Sequence, residues 1–159
     1  MRPATIPARN LASYILPKYM PAFRAAVKEA DPWTIMASYN KINGVYATEH
    51  YYLLNEVLKN EWGYKGFVVS DWGAVHSTVP VGKVGMDLEM PGPAKFLDEK
   101  LVDAVKNSDV TEEAINDKVR RILRIIYKSG SFDNKKNIPI YHIKILFNLN
   151  WDDKQLLKV

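Results

Sequence analysis

Cysteine is absent from this chain of 159 residues, and long apolar runs are absent as well. Without cysteine there is no disulfide framework and no thiolate chemistry, a composition that suits the cytosol. No run approaches the roughly 18 apolar residues of a transmembrane helix. The first residues also lack the apolar core of a secretory signal. We therefore expect a cytoplasmic protein that has no membrane partner.

Two further sequence patterns are missing. No glycine-rich loop of phosphate-binding spacing follows any apolar run, which argues against a nucleotide-binding domain. The net charge is +4, but the basic residues are not interleaved with aromatic ones as in nucleic-acid-binding modules. Arg120, Arg121, Arg124 and Lys128 fall in the last turns of a probable helix, where cations complement the helix dipole. We therefore expect no nucleic-acid partner.

What the chain does have is the composition of one globular domain. Apolar residues make up 47% and charged residues 25%, which is ordinary for a soluble protein of this length. The chain is long enough to bury a core. Residues 134–159 differ from the rest, since they are rich in Asn, Lys, Ile and Tyr, and we treat them as an atypical tail.

Three apolar runs predict buried strands. Phe67 to Val69 is short and rich in β-branched residues, and it turns polar at Ser70 and Asp71. Residues 34–40 and 84–89 show the same change from apolar to polar. An Asn43-Gly44 turn follows the first of these runs.

Helical spacing alternates with these strands. We expect helices from about Pro21 to Ala30, from Ala47 or Thr48 to Glu61, and, briefly, near residues 75–81. Two more follow, over residues 96–105 and from an N-cap at Thr111 to a stop at Gly130. The apolar stripes are Tyr52, Leu53, Val57 and Leu58 in the second helix and Ile115, Val119, Ile122 and Ile126 in the last.

This order predicts an α/β fold with about three parallel strands. Three strands leave two open sheet edges. The chain therefore fits part of a (β/α)8 TIM-type barrel better than a whole sheet. The open edges could also support self-association.

Asp71 is the first candidate for chemistry. It stands at the carboxyl end of a predicted parallel strand, where ligands and catalytic groups gather in α/β proteins. The competing interpretation is that Asp71 caps a following helix. Its position alone does not separate the two.

Three motifs together resemble glycoside hydrolase family 3, in particular its β-glucosidase branch. They are Met-Ala-Ser-Tyr-Asn at residues 36–40, Gly-Phe-Val-Val-Ser-Asp-Trp at 66–72 and Gly-Met-Asp-Leu-Glu-Met-Pro at 85–91. The resemblance covers residues 8–133 and implies the C-terminal part of the family's N-terminal barrel domain. It further implies a retaining, exo-acting glycosidase with no metal or organic cofactor, acting on terminal β-D-glucosyl residues of a β-glucoside or oligosaccharide.

The resemblance also implies roles for individual residues. Asp71 matches the nucleophile, which forms a covalent glycosyl-enzyme while a second carboxyl group about 5–5.5 Å away acts as acid and base. Trp72 matches an aromatic residue that lines the sugar subsite, and its alternative is a core tryptophan. Tyr39 matches the tyrosine beside the nucleophile, and its alternative is a buried strand tyrosine.

Two other residues have weaker claims. We interpret His76 as structural. Glu89 is a carboxylate close to the site in the motifs, but the family places its acid/base elsewhere. With no acid/base evident in the sequence, we expect a truncated enzyme with little or no activity alone. The alternative is a non-catalytic remnant or interaction module of such a barrel.

Overall fold

The computed structural model describes residues 5–6 and 18–131. The 134–159 tail lies outside the described residues, as do the residues before Lys18 apart from one two-residue strand. No helix within the described ranges combines the length and apolar character needed to cross a bilayer.

The described part of the chain contains both strands and helices, but they alternate less regularly than the sequence predicts. The strands are β1 (Thr5–Ile6), β2 (Thr34–Ala37), β3 (Lys41–Ile42), β4 (Val45–Tyr46) and β5 (Phe67–Ser70). The α-helices are α1 (Met20–Ala30), α2 (Val79–Lys83), α3 (Glu99–Lys106) and α4 (Glu112–Lys128). A 3₁₀ helix (Ala47–Glu49) and a π-helix (Tyr52–Glu61) lie between β4 and β5.

The strands form two small sheets. β2 and β5 are parallel, with Ile35 opposite Val68 and Ala37 opposite Ser70. β1 pairs in parallel with β3, which forms an antiparallel hairpin with β4. The hairpin turns at Asn43 and Gly44, both of which have positive φ angles, so the predicted turn is confirmed. The fold is thus mixed α/β with a short parallel sheet, and the antiparallel hairpin is an addition that the sequence did not predict.

The expected third strand over residues 84–89 is wrong. Only Leu88 forms a bridge, in parallel with Val69. The backbone of the earlier residues is used elsewhere: the Gly85 amide donates to the Asn55 side chain over 2.8 Å, and the Lys118 ammonium donates to the carbonyls of Val84 and Met86. Because side chains bind these backbone amide and carbonyl groups, residues 84–86 form no ladder with β5.

The expected α-helix after β4 is replaced by the 3₁₀ helix and the π-helix. The Trp62 amide at the end of the π-helix donates to the Val57 carbonyl, five residues earlier, over 2.9 Å. Residues five apart lie closer to one face than in an α-helix, and Leu54 and Lys59 are both buried. Tyr52, which belongs to the predicted apolar stripe, is exposed. Gly63 has a φ angle of 69° and ends this segment as predicted.

The last helix begins as predicted, because the Thr111 hydroxyl accepts a hydrogen bond from the Ala114 amide over 3.3 Å. Its buried residue, however, is Lys118, whereas Val119 on the predicted apolar face is 45% exposed. The basic residues have specific partners as well. Arg121 donates to the carbonyls of Tyr64 and Gly66, just before β5, and thereby fixes the start of that strand.

The core lies between β5, the π-helix and residues 81–86. Val68, Val81 and Met86 have no solvent exposure. β5 is buried on both faces as predicted, apart from a partly exposed Val69. The prediction for β2 is wrong in this respect, because Met36 is 58% exposed. In the described part of the chain β2 has a strand neighbour on one side only, so this face has little to pack against.

Candidate active site

Asp71 directly follows β5, at the carboxyl end of the parallel strand pair. Its amide donates to the Ala37 carbonyl at the end of β2 over 2.9 Å, so both strands end at this point. The nearest following helix, α2, begins eight residues later with Thr78 as its N-cap residue. The interpretation of Asp71 as a helix cap is therefore wrong, because its carboxylate caps no helix.

One oxygen of the Asp71 carboxylate is held by two donors. The Trp72 amide donates to Oδ1 over 2.7 Å, and the Tyr39 hydroxyl lies 3.0 Å from the same oxygen. The Tyr39 hydroxyl also lies 2.8 Å from the Trp72 carbonyl, so its single hydrogen is shared between two acceptors. No described residue donates to Oδ2. Within residues 18–131 the carboxylate is thus oriented through one oxygen and has no hydrogen-bond donor at the other.

Tyr39 remains a neutral donor near neutral pH. Partial burial, the hydrogen bond to Asp71 and the negative charge of that carboxylate raise the pKa of Tyr39 above its ordinary value. The side chain is 42% exposed, so it is not a buried strand tyrosine. The structure therefore brings Tyr39 and Asp71 together, 32 residues apart in the sequence.

Trp72 lies beside the carboxylate with its ring largely uncovered. The residue is 60% exposed, which is incompatible with a core tryptophan. An exposed indole next to an open carboxylate offers a flat apolar surface on which the face of a sugar ring could stack.

The turn that carries Asp71 and Trp72 is bound to Met90. The Gly73 amide donates to the Met90 carbonyl over 2.8 Å, and the Met90 amide donates to the Ser70 hydroxyl over 2.8 Å. The Ser70 hydroxyl in turn lies 3.3 Å from the Met90 carbonyl. Since Ser70 and Gly73 flank Asp71 on either side, the Met90 peptide fixes both ends of the turn.

Neither carboxylate of the 85–91 motif is free. Asp87 forms a salt bridge with Lys59 over 2.8 Å and accepts from the Val68 amide over 2.7 Å. Burial raises the pKa of Asp87, although Lys59 and these hydrogen bonds oppose the shift. Glu89 accepts hydrogen bonds from the backbone amides of Lys95, Phe96 and Leu97. The weak assignment of Glu89 as acid/base gains no support from this geometry.

His76 also has a structural setting. Its ring stacks on Tyr46 with the centroids 3.9 Å apart, and the Lys41 ammonium lies 4.4 Å from the Tyr46 centroid. The interpretation of His76 as structural agrees with this stack. In the described part of the chain, no three acidic or histidine side chains are grouped as a metal would require.

The sequence reasoning missed Ser70 and Met90 as residues that shape the site. Serine before a candidate nucleophile is too common to be a signal. The available hint was that two apolar runs, at 67–69 and 84–88, both turn polar next to a motif, which predicts that their ends meet at one sheet edge.

Comparison with known proteins identifies the chain's family. The model of the glycosyl hydrolase family 3 N terminal domain matches residues 6–125. Thermostable beta-glucosidase B of Acetivibrio thermocellus is 50% identical over 123 residues, which are 77% of this chain and 16% of that protein. An exo-alpha-(1->6)-L-arabinopyranosidase of Bifidobacterium breve is 40% identical over 119 residues, 73% of this chain and 16% of that protein.

Solved structures agree with the family match. Beta-glucosidase 3B from Thermotoga neapolitana, in complex with glucose, superposes with a TM-score of 0.74 at 35% identity, covering 89% of this chain and 21% of that one. The Bifidobacterium adolescentis GH3 beta-glucosidase gives a TM-score of 0.72 at 35% identity, with the same coverage. The chain thus spans about a fifth or less of the length of these proteins. It belongs to glycosyl hydrolase family 3, a family of glycosidases, and corresponds to part of that family's N-terminal domain.

Proposed function

We propose that this chain supplies the nucleophile of a retaining β-glucosidase, with Asp71 forming a covalent glycosyl-enzyme. The observation that carries the proposal is the Asp71 carboxylate itself, which is held at Oδ1 by Tyr39 and the Trp72 amide and receives no hydrogen bond at Oδ2 from the described residues. It stands at the carboxyl end of β5, and we take β2 and β5 as two strands of a partial (β/α)8 barrel. The resemblance of the 66–72 motif to the family's nucleophile motif supports the same assignment.

The chemistry follows from this geometry. Oδ2 attacks the anomeric carbon of the sugar while the bond from that carbon to the glycosidic oxygen breaks, and water later hydrolyses the resulting ester. The two donors on Oδ1 fix the direction in which the carboxylate attacks. Trp72 would stack against the apolar face of the sugar.

The substrate class is the part that rests on the relatives. Most of the relatives are named beta-glucosidases, and several solved structures of such enzymes contain glucose. The arabinopyranosidase has a different sugar specificity at similar identity. We therefore propose a terminal β-D-glucosyl residue, as part of a β-glucoside or oligosaccharide, and treat other sugars as outcomes of the test.

We also propose that the isolated chain turns over ordinary glucosides slowly or not at all. A general acid typically contributes about 10²–10⁴-fold to such a reaction. Asp87 and Glu89 are both engaged by other groups and cannot donate a proton to a leaving oxygen. A substrate whose leaving group departs without a proton avoids this requirement.

The test uses such a substrate. The purified chain is incubated with a dinitrophenyl β-glucoside that carries fluorine beside the anomeric carbon, which slows the second step and traps the covalent intermediate. We expect the intact mass to increase by one fluoroglucosyl group and peptide mapping to place it on Asp71. Asp71→Asn should not be labelled.

Asp103→Asn is the matched control, since Asp103 lies on the surface of α3 with its side chain 70% exposed. It should be labelled like the unchanged protein. A label on another carboxylate, or equal labelling of Asp71→Asn, would show that Asp71 is not the nucleophile. A folded chain that stays unlabelled would favour the alternative, a non-catalytic module that associates through the open edge of β2.

A further inference from the structure

Glu89 is a buried carboxylate for which the proposed reaction has no direct use. It is 5% exposed and lies one residue before Met90. Its Oε1 accepts from the Lys95 amide over 3.1 Å, and its Oε2 accepts from the amides of Phe96 and Leu97 over 3.0 and 2.8 Å. The Glu89 side chain therefore binds the end of the 90–97 loop, at residues 95–97, to the residue that precedes this loop.

The backbone next to Glu89 holds the nucleophile turn. The Met90 carbonyl accepts the Gly73 amide over 2.8 Å, and the Met90 amide is bound by the Ser70 hydroxyl. Gly73 has a φ angle of 72°, in the left-handed region that glycine tolerates best. Without a fixed acceptor for its amide, such a residue has many alternative conformations. Met90 thus restricts the one flexible point directly after Asp71 and Trp72.

We propose that Glu89 is a positioning residue for the Asp71 nucleophile, acting through the Met90 peptide. The proposal rests on the proposed function of Asp71 and adds to it how the turn is kept in place. Glu89 fixes the 90–97 loop, and the fixed loop keeps the Met90 peptide against Ser70 and Gly73. Because Asp71 lies between these two residues, their contacts with Met90 set the conformation of the turn that carries it. Removing the carboxylate leaves three amides without their acceptor and releases the loop.

The same contacts separate this role from that of a general acid. Both oxygens of Glu89 are occupied as acceptors of backbone N–H groups, so neither presents a proton to a leaving oxygen. A general acid also has to reach the substrate. Glu89 is instead buried against its own loop.

The experiment compares Glu89→Gln with Glu99→Gln in the full chain. The first variant keeps the shape of the side chain but puts an amide NH₂ among the three N–H donors. Glu99 is an exposed residue in the first turn of α3 and provides a matched change without a role in the turn. Glu89→Asp, which keeps the charge on a shorter side chain, is the milder second variant.

The first measurement is amide hydrogen exchange by NMR, which does not depend on activity. In Glu89→Gln we expect faster exchange at Gly73, whose acceptor is the Met90 carbonyl. The Phe67 amide, which donates to Trp33 at the other end of β5, should keep its protection. A general loss of stability would affect both amides, so the difference between them identifies the positioning role.

The second measurement is the rate of labelling by the fluorinated dinitrophenyl glucoside. We expect the maximal rate constant to fall about 10- to 100-fold in Glu89→Gln, as is typical of a slightly misplaced group, with a smaller change in the half-saturating concentration. Glu89→Asp should lie between this variant and the unchanged chain. A general-acid role would leave the rate unchanged, because this leaving group needs no proton.

Each outcome of these measurements supports or overturns the positioning role of Glu89. Unchanged Gly73 exchange in folded Glu89→Gln overturns the proposal, as does unchanged labelling when the original chain is labelled. If Gly73 exchanges faster in Glu89→Gln but the original chain is never labelled, the proposed function of Asp71 is refuted. The structural effect of Glu89 on the turn is then still supported. If both Glu89 variants fail to fold while Glu99→Gln folds, Glu89 serves the core and the proposal is wrong.

Discussion

β5 has a neighbour on each side, and the two neighbours are held in opposite ways. On one side β2 follows it in regular register over four residue pairs, yet Met36 in β2 is 58% exposed. On the other side residues 84–88 form a single bridge at Leu88, yet Met86 has no exposure at all. A regular ladder and a buried neighbour are therefore separate properties in this fold.

Residues 84–88, which form the irregular side of β5, are held in place by side chains. The Lys118 ammonium binds the carbonyls of Val81, Val84 and Met86, while Asn55 accepts from the Gly85 amide. An added Cβ at Gly85 would lie 3.0 Å from the Lys59 Cε atom and 3.1 Å from the Leu54 carbonyl oxygen, so a larger residue would crowd this segment against the π-helix. Long polar side chains can thus replace a strand partner where helices pack close to the sheet.

Asp71 stands where the two sides meet. Tyr39, which follows β2, contacts its carboxylate, while Met90, which follows the irregular segment, fixes the turn. The nucleophile thus depends on both neighbours of β5, and the variants below test how much each side contributes to stability.

The largest expected difference is between two methionines. Met86→Ala should lower the free energy of unfolding by about 2–5 kcal/mol, because it leaves a cavity in the core. Met36→Ala on the ladder side should change it by less than about 0.5 kcal/mol, as at other surface positions. Urea unfolding followed by circular dichroism measures both. Equal losses would mean that β2 is covered in solution, for instance by a second copy of the chain.

The next effect concerns the cation of the irregular side. Lys118→Met should lower the free energy of unfolding by about 1–3 kcal/mol near neutral pH, because buried carbonyls lose their donor. Lys106→Met is the control, since the side chain of Lys106 is 70% exposed. A stability equal to that of the control would show that water or another donor replaces the ammonium.

Lys118 also predicts a dependence on pH. Burial lowers the pKa of Lys118 from 10.5 to about 8, despite the nearby charge of Asp87. Between these values the unfolded chain binds more protons than the folded one, so this group makes the free energy of unfolding rise with pH. The difference in stability between the unchanged chain and Lys118→Met should therefore grow from pH 8 to pH 10. A constant difference would show that Lys118 keeps its ordinary pKa.

The smallest expected effect on stability lies at the contact between the two sides. Tyr39→Phe should leave the free energy of unfolding nearly unchanged, because the hydrogen bond is exposed. It should nevertheless slow labelling of Asp71 by about tenfold, because the carboxylate loses one of the two donors that orient it. Tyr127→Phe, at a residue that is 74% exposed, is the control. Unchanged labelling in Tyr39→Phe would leave the Trp72 amide as the donor that matters.

Local chemistry made part of this structure predictable. β5, the Asn43-Gly44 turn and the Thr111 cap each depend on residues close in sequence, and all three are confirmed. The pairing of Tyr39 with Asp71 was predictable only through the family resemblance, because no local pattern joins residues 32 positions apart.

The errors in the π-helix, in α4 and over residues 84–89 share a physical cause. Lysine and glutamate are normally placed at the surface when a sequence is interpreted, since burying an unpaired charge is costly. Lys59, Lys118 and Glu89 are buried because each finds acceptors or donors supplied by another segment or by a closed loop. Those partners are known only once the fold is known, so the irregular side of β5 could not be derived from its residues alone.

The π-helix sets a limit for protein engineering. Rebuilding Tyr52–Glu61 as a regular α-helix of the same length would improve its local geometry. In an α-helix, however, residues five apart no longer share a face. Leu54 and Lys59 could then not both face the core, and Asp87 would lose its cation. A stabilising redesign that idealised this helix would thus leave a buried negative charge beside the strand that carries the nucleophile.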